Sequence, residues 1–141
     1  MLVYLFGKMI NLTQGEAGDW RKRAETFLRK YQIGVYNPMY HVPILKENEK
    51  VKNYYVSKEQ VKTEDVYFIK KANVLLGRLN KPSLGCPFEM GMGFVLNKLI
   101  IVYDVCEEMR EHPLIGTSWD LEFRTLGEAL EYIRKLSLIG E

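Results

Sequence analysis

Apolar and aromatic residues fall in short runs separated by longer amphipathic stretches. Residues 2–6 (LVYLF), 33–36 (IGVY), 74–79 (VLLGRL) and 99–103 (LIIVY) read as short buried strands, and 99–103 is the clearest of them. Residues 119–123 (WDLEF) alternate like a half-buried edge strand. Between these runs the period becomes helical. Trp20, Ala24, Phe27, Leu28 and Tyr31 share one face of a helix, with Asp19 as a suitable N-cap. The preceding residues 8–18 carry two glycines and read as a loop. Val61, Val66, Ile69 and Ala72 supply a second helix, started by Ser57 or Thr63. A third runs from Phe88 to Leu96, and a last one from Leu126 to Leu136, with Ala129, Leu130 and Ile133 on its stripe. Residues 39–56 are irregular, and their run KENEKVK suits either a solvated loop or a substrate lid.

Strands alternating with helices imply βαβ units, a parallel sheet and helices on both faces. With about five strands the pattern predicts a single-domain α/β fold over residues 1–141. The sheet expected is doubly wound, Rossmann-like and of flavodoxin type. No internal repeat or domain boundary is visible.

Composition narrows the classes. With 47% hydrophobic and 27% charged residues the chain is ordinary for a globular protein, and 141 residues bury a real core. A formal charge of +2 is too weak to argue for a nucleic acid polymer and would favour only a small anion. Cys86 and Cys106 lack CxxC spacing and any Cys/His cluster, so neither a disulfide framework nor a zinc site is expected. The setting expected is reducing and cytoplasmic. No apolar stretch is long enough for a bilayer, so no membrane partner is expected.

In sheets of this kind ligands bind beyond the carboxyl ends of the strands. Gly7, Asn37-Pro38, the 80–89 loop and Asp104 all reach that edge. The loop leaves a strand, passes Pro82-Ser83-Leu84-Gly85-Cys86-Pro87 and opens a helix with Phe88-Glu89. Free N–H groups there attract anions, Ser83 adds a hydroxyl, and Gly85 permits close approach of a ligand. Glu89, read as a first-turn residue held ionised by the helix dipole, suits either a nucleophile or a simple dipole partner. Asp65 reads as either a second carboxylate or a solvated helix position. Tyr4, inside the first strand, reads as a core residue before anything else. His41 and His112 read as surface loop residues. There is no GxGxxG after the first strand and no GxxxxGK[ST], so dinucleotide and P-loop readings fail.

The stretch ANVLLGRLNKPSLGCPFEMGMGFVLNKLIIVYD resembles the signature of nucleoside 2-deoxyribosyltransferases and the related 2'-deoxynucleoside 5'-phosphate N-hydrolases. The ordered set YLxG-like VYLFG, WR, NP, D-x-x-x-I-x-x-A, PS-x-G and E-x-G carries the resemblance through most of residues 2–104. It implies that Glu89 attacks the anomeric carbon, that Asp65 protonates or holds the base, and that Tyr4 orients the nucleophile. Gly7, Asn37, Ser83 and Gly85 become candidate substrate-binding positions. The implied substrate is a small deoxynucleoside or deoxynucleotide, the implied chemistry retaining glycosyl transfer, and no metal or organic cofactor is required. Members of the family usually assemble, which implies a homodimer or higher homo-oligomer. Ser83 stands where the hydrolases accept a 5'-phosphate and the transferases place an aspartate, and a hydroxyl can donate to phosphate. Asn73, Cys86 and Gly93 depart from the family pattern, and Gly93 is expected to loosen its helix. The first loop lacks an arginine-rich phosphate motif, although Lys8, Arg21 or Lys22 could serve. A non-catalytic nucleotide-binding module on the same scaffold is the competing reading.

Overall fold

The computed structural model describes residues 1–140. Five strands, β1 (Leu2–Gly7), β2 (Gly34–Tyr36), β3 (Val74–Arg78), β4 (Leu99–Tyr103) and β5 (Leu121–Phe123), form one sheet in the order β2-β1-β3-β4-β5. Every pairing is parallel, with Tyr4 beside Tyr36 and Leu75, and Leu75 beside Ile100. This is the doubly wound, flavodoxin-like α/β arrangement that the alternation predicts. The connecting helices are α1 (Gln14–Lys30), α2 (Lys58–Lys71), α3 (Gly85–Val95), α4 (Glu107–Glu111) and α5 (Leu126–Ile139).

The two-residue period of β1 distributes the core. Val3 and Leu5 face α1 and α5, packing with Trp20, Ala24, Leu28, Leu76, Ile101, Leu130 and Ile133. Tyr4 and Phe6 face the opposite layer, among Ile69 of α2, Cys86 and Met90 of α3, and Met109 of α4. A third small core joins Leu12, Ala17, Val42 and Val51. It ties residues 42–51 to the start of α1, as do the paired bonds Asn11 N–Val51 O (2.8 Å) and Val51 N–Leu12 O (2.7 Å). The irregular 39–56 segment is therefore a fastened strap, and it opens with a 3-10 turn over Pro38–His41.

Two helix starts differ from the sequence reading. α1 begins at Gln14, because Thr13 and Glu16 form a reciprocal capping box. Gly15 and Gly18, taken as loop signals, lie inside the helix, and Asp19 is not its cap. α3 begins at Gly85, because the Ser83 hydroxyl accepts from Cys86 N (3.3 Å). Pro87 then falls in the first turn, where a missing N–H costs nothing. Gly93 does not merely loosen its helix. A Cβ there would lie 2.8 Å from Leu75, so the glycine lets α3 approach the sheet closely. Among the described residues no helix is long and apolar enough to cross a membrane.

Candidate active site

A cavity of about 660 Å³ opens beyond the carboxyl ends of β1 and β3. Its floor and one wall are Gly7, Ser83, Gly85 and Glu89, and the facing wall is Val61, Asp65, Val66 and Ile69 of α2. Met9, Ile10 and Tyr54 close it from the strap side, and Leu84 and Phe88 from α3. The apolar part of the lining suits a flat ring, and Glu89, Asp65 and Ser83 are among its polar groups.

Two hydrogen-bonded groups hold the cavity's carboxylates. The Tyr4 hydroxyl donates to Glu89 Oε2 at 2.6 Å. Glu89 Oε1 forms no hydrogen bond among the described residues, so one oxygen is held and the other is available. A Cβ on Gly85 would lie 3.9 Å from Oε1 and 4.0 Å from the Ser83 hydroxyl, so glycine keeps this corner open. In the second group, the Tyr36 hydroxyl donates to Asp65 Oδ1 (3.0 Å) and lies 2.8 Å from His41 Nε2. His41 Nε2 is also 3.3 Å from Glu64 and 3.5 Å from Asp65. Asp65 Oδ2 has no such partner among the described residues, and Asp65 lines the cavity. The Tyr4 and Tyr36 rings stack at 5.4 Å, and Phe68 stacks on Tyr36 at 4.0 Å, so the two groups rest on one aromatic column.

Burial sets the charge state of Glu89. Desolvation pushes it up to about 7, while the Tyr4 hydrogen bond and the charge of Arg21 pull it down. This corrects the expectation of a dipole-ionised first-turn carboxylate. Glu89 lies a full turn inside α3, where the dipole fades, and burial outweighs it. Asp65 is likewise raised, by burial, against the hydrogen bond from Tyr36 and the charge of His41. Burial also pushes Cys86 up to about 12, which leaves it a poor nucleophile.

Of the residues singled out from sequence, Glu89, Asp65, Gly7, Ser83 and Gly85 line the cavity, and Tyr4 reaches it through Glu89. Asn37 does not line it. Its side chain accepts from Met39 N and caps the 3-10 turn. His41, read as a surface residue, is only 7% exposed. His112 is spent locally, its Nδ1 accepting from Leu114 and Ile115 N. Asn73 accepts from Leu2 N and fixes the start of β1. Arg21, considered for phosphate, points inward and is fully buried. Tyr36 escaped the sequence reading, and the buried places of His41 and Arg21 differ from the surface and phosphate-binding roles expected of them. Arg21 alone carried a usable signal, since positions 17, 20, 21, 24 and 28 trace one helical face.

Among the described residues no cluster of His, Cys, Asp and Glu is arranged to hold a metal ion. No curated protein matches the chain. Solved structures share the fold. A 2-deoxyribosyltransferase from Bacillus psychrosaccharolyticus superposes with a TM-score of 0.70 at 20% identity, covering 94% of this chain and 92% of its own. A CMP N-glycosidase from Clostridium botulinum gives 0.63 at 17% identity, covering 94% and 97%. A 2-desoxiribosyltransferase from Leishmania mexicana gives 0.60 at 10% identity, covering 95% and 97%. The family model for nucleoside 2-deoxyribosyltransferases matches residues 3–130, and the chain belongs to that family.

Proposed function

We propose that this chain cleaves the N-glycosidic bond of a deoxynucleoside or its 5'-monophosphate through a covalent deoxyribosyl–Glu89 intermediate. The observation that carries the reading is the pair Tyr4–Glu89, one carboxylate oxygen held and the other without a partner among the described residues, in a cavity that Asp65 also lines. Glu89 Oε1 attacks the anomeric carbon as the bond to the base nitrogen breaks, and the bonding pair leaves with the base. Asp65 gives the departing base a proton or holds it by a hydrogen bond from its free oxygen. Water or a second base then attacks the same carbon and releases Glu89. The missing 2'-hydroxyl makes the oxocarbenium-like transition state easier to reach. Tyr4 keeps its hydrogen bond to Oε2 throughout.

The rim supports an anionic substrate. Lys8, Lys58 and Lys62 line the cavity and make no ion pair among the described residues, and Ser83 stands beside Glu89. A 5'-phosphate fits this balance better than a neutral 5'-hydroxyl.

The same reading carries a homo-oligomer. Leu84 (97% exposed), Phe88 (56%) and Val95 (76%) follow one another along the outer face of α3 at helical spacing. Leu84 and Phe88 also border the cavity, so a second copy on this face would shield the nucleophile from bulk water. Sedimentation of the wild type and of Phe88→Asp tests this, with dissociation and weakened turnover expected together.

Base release tests the reaction. Deoxynucleosides and their 5'-monophosphates are incubated with the protein, with and without an acceptor base, and free base is followed by chromatography. Release that depends on Glu89 supports the proposal, and acceptor dependence separates transfer from hydrolysis. Binding without release would favour a nucleotide-binding module instead.

A further inference from the structure

The side chain of Arg21 has no ordinary explanation as a packing residue. It is 0% exposed and ranks among the largest fully buried side chains of the molecule. No carboxylate forms an ion pair with it among the described residues. Its partners are backbone carbonyls: Nε donates to Ala17 O (3.0 Å), Nη1 to Leu5 O (3.4 Å) and Nη2 to Gly7 O (2.7 Å). The guanidinium also lies 4.9 Å from the centre of the Trp20 ring. Carbonyl dipoles and a ring face satisfy its donors but do not cancel its charge. A guanidinium stays protonated in a protein, so α1 places an uncancelled cation under the carboxyl end of β1. Such a charge is costly to bury without a counter-charge.

We propose that Arg21 is a positioning residue for Glu89: bonded to the Leu5 and Gly7 carbonyls, its buried charge favours the carboxylate form of the nucleophile against burial, and the same bonds fix the end of β1 that carries Gly7, which lines the cavity with Glu89. This inference rests on the reading of Glu89 as the nucleophile. The groups around Glu89 account for its charge state. Tyr4 from β1 donates a hydrogen bond, Arg21 from α1 is the cation that favours ionisation, Asp65 from α2 opposes it, Tyr54 from the strap and Cys86 on α3 are neutral, and Lys8, Lys58 and Lys62 line the same cavity. The coupling is mutual, because Glu89 leads the charges that favour the protonated guanidinium against its burial. In the low-dielectric floor of the cavity the charge acts without direct contact.

The test is a titration of Glu89 in the full chain carrying ¹³C-labelled glutamate, the Glu89 carboxyl signal being identified by its loss in Glu89→Gln. Wild type, Arg21→Gln and Arg21→Lys are compared, beside the pH dependence of kcat/KM for base release. The wild-type midpoint is expected near 7. Arg21→Gln is expected to raise it, so that activity below the midpoint falls, by about tenfold for each pH unit of displacement, and converges with wild type at high pH. Arg21→Lys keeps the charge but cannot reach all three carbonyls, so its Tm falls while its midpoint stays near the wild-type value. A folded Arg21→Gln that titrates like wild type, or loses activity equally at every pH, would overturn the proposal. If Arg21→Gln does not fold, Arg21→Met is titrated in its place: a raised midpoint supports the charge role and an unmoved one overturns it. Absence of base release by the wild type would sink the enzymatic reading, and the titration would still judge Arg21.

Discussion

The two faces of the sheet use the same strands for different ends. Toward α1 and α5, Val3, Leu5, Leu76 and Ile101 meet hydrocarbon, and Arg21 at the strand ends is the one buried charge among the described residues. Toward α2 and α3, alternate residues of the same strands present Tyr4 and Tyr36, and beyond them Asp65, His41 and Glu89. One face is optimised for burial. The other holds a carboxylate that burial pushes up to about 7, which is a standing cost to stability. Packing and the proposed chemistry are thus separated by the pleat of a strand, and substitutions on the two faces should separate in the same way.

The sharpest contrast is expected at Glu89. Glu89→Gln should lower base release by at least about 10³-fold, as loss of a nucleophile does. It should also raise Tm at pH 8, because a buried anion is removed. Thermal melts beside the base-release assay check both signs. On the packing face, Leu28→Ala should remove about 2–5 kcal/mol of stability by leaving a cavity, while the molecules that stay folded keep their kcat. Denaturant unfolding and kinetics on one preparation would show it, and a large kcat loss would break the division between the faces.

The pH dependence of stability sharpens the comparison further. Glu89 titrates near 4.5 when unfolded and about 7 when folded. Between those values the unfolded chain has released its proton and the native protein retains it. Stability therefore falls as pH rises through this window, by up to about 3 kcal/mol at 1.36 kcal/mol per unit, and then levels. The Glu89→Gln variant should lack this slope. A smaller effect is expected for Tyr4→Phe. Losing a hydrogen bond to a charged group costs about 1.5–3 kcal/mol, or on the order of tenfold to a hundredfold in kcat/KM. The acid limb should also move upward, since that bond favours the ionised carboxylate. Smallest of all, Ser83→Ala should reduce the preference for a 5'-monophosphate over its nucleoside by several-fold, measured as a ratio of kcat/KM values.

Much of this was legible in the sequence, for identifiable reasons. The strands of the interior were plain because parallel strands covered on both faces are nearly all apolar. Glu89, Asp65 and Tyr4 came from the resemblance, since the residue pattern alone left a first-turn glutamate, a helix aspartate and a strand tyrosine with bland readings. The start of α1 was missed because Gly15 and Gly18 outweighed Thr13 and Glu16, although a capping box was there to be read. The charge state of Glu89 was misjudged because a dipole is a local feature and burial is not. The dipole is worth about 0.3–1 kcal/mol near a helix end, whereas full burial moves a carboxyl by up to about 3–5 units. His41 and Tyr36 were illegible for a related reason. Their partner, Asp65, lies in another helix, and only the tertiary fold brings the three together.

The central claim is that Glu89 carries the sugar. Acid quench of the protein during turnover of a deoxynucleoside 5'-monophosphate, followed by peptide mass spectrometry, addresses it directly. A deoxyribosyl adduct is expected on the peptide containing Glu89, and none in Glu89→Gln. Undiminished base release by Glu89→Gln, or an adduct on another residue, would contradict it.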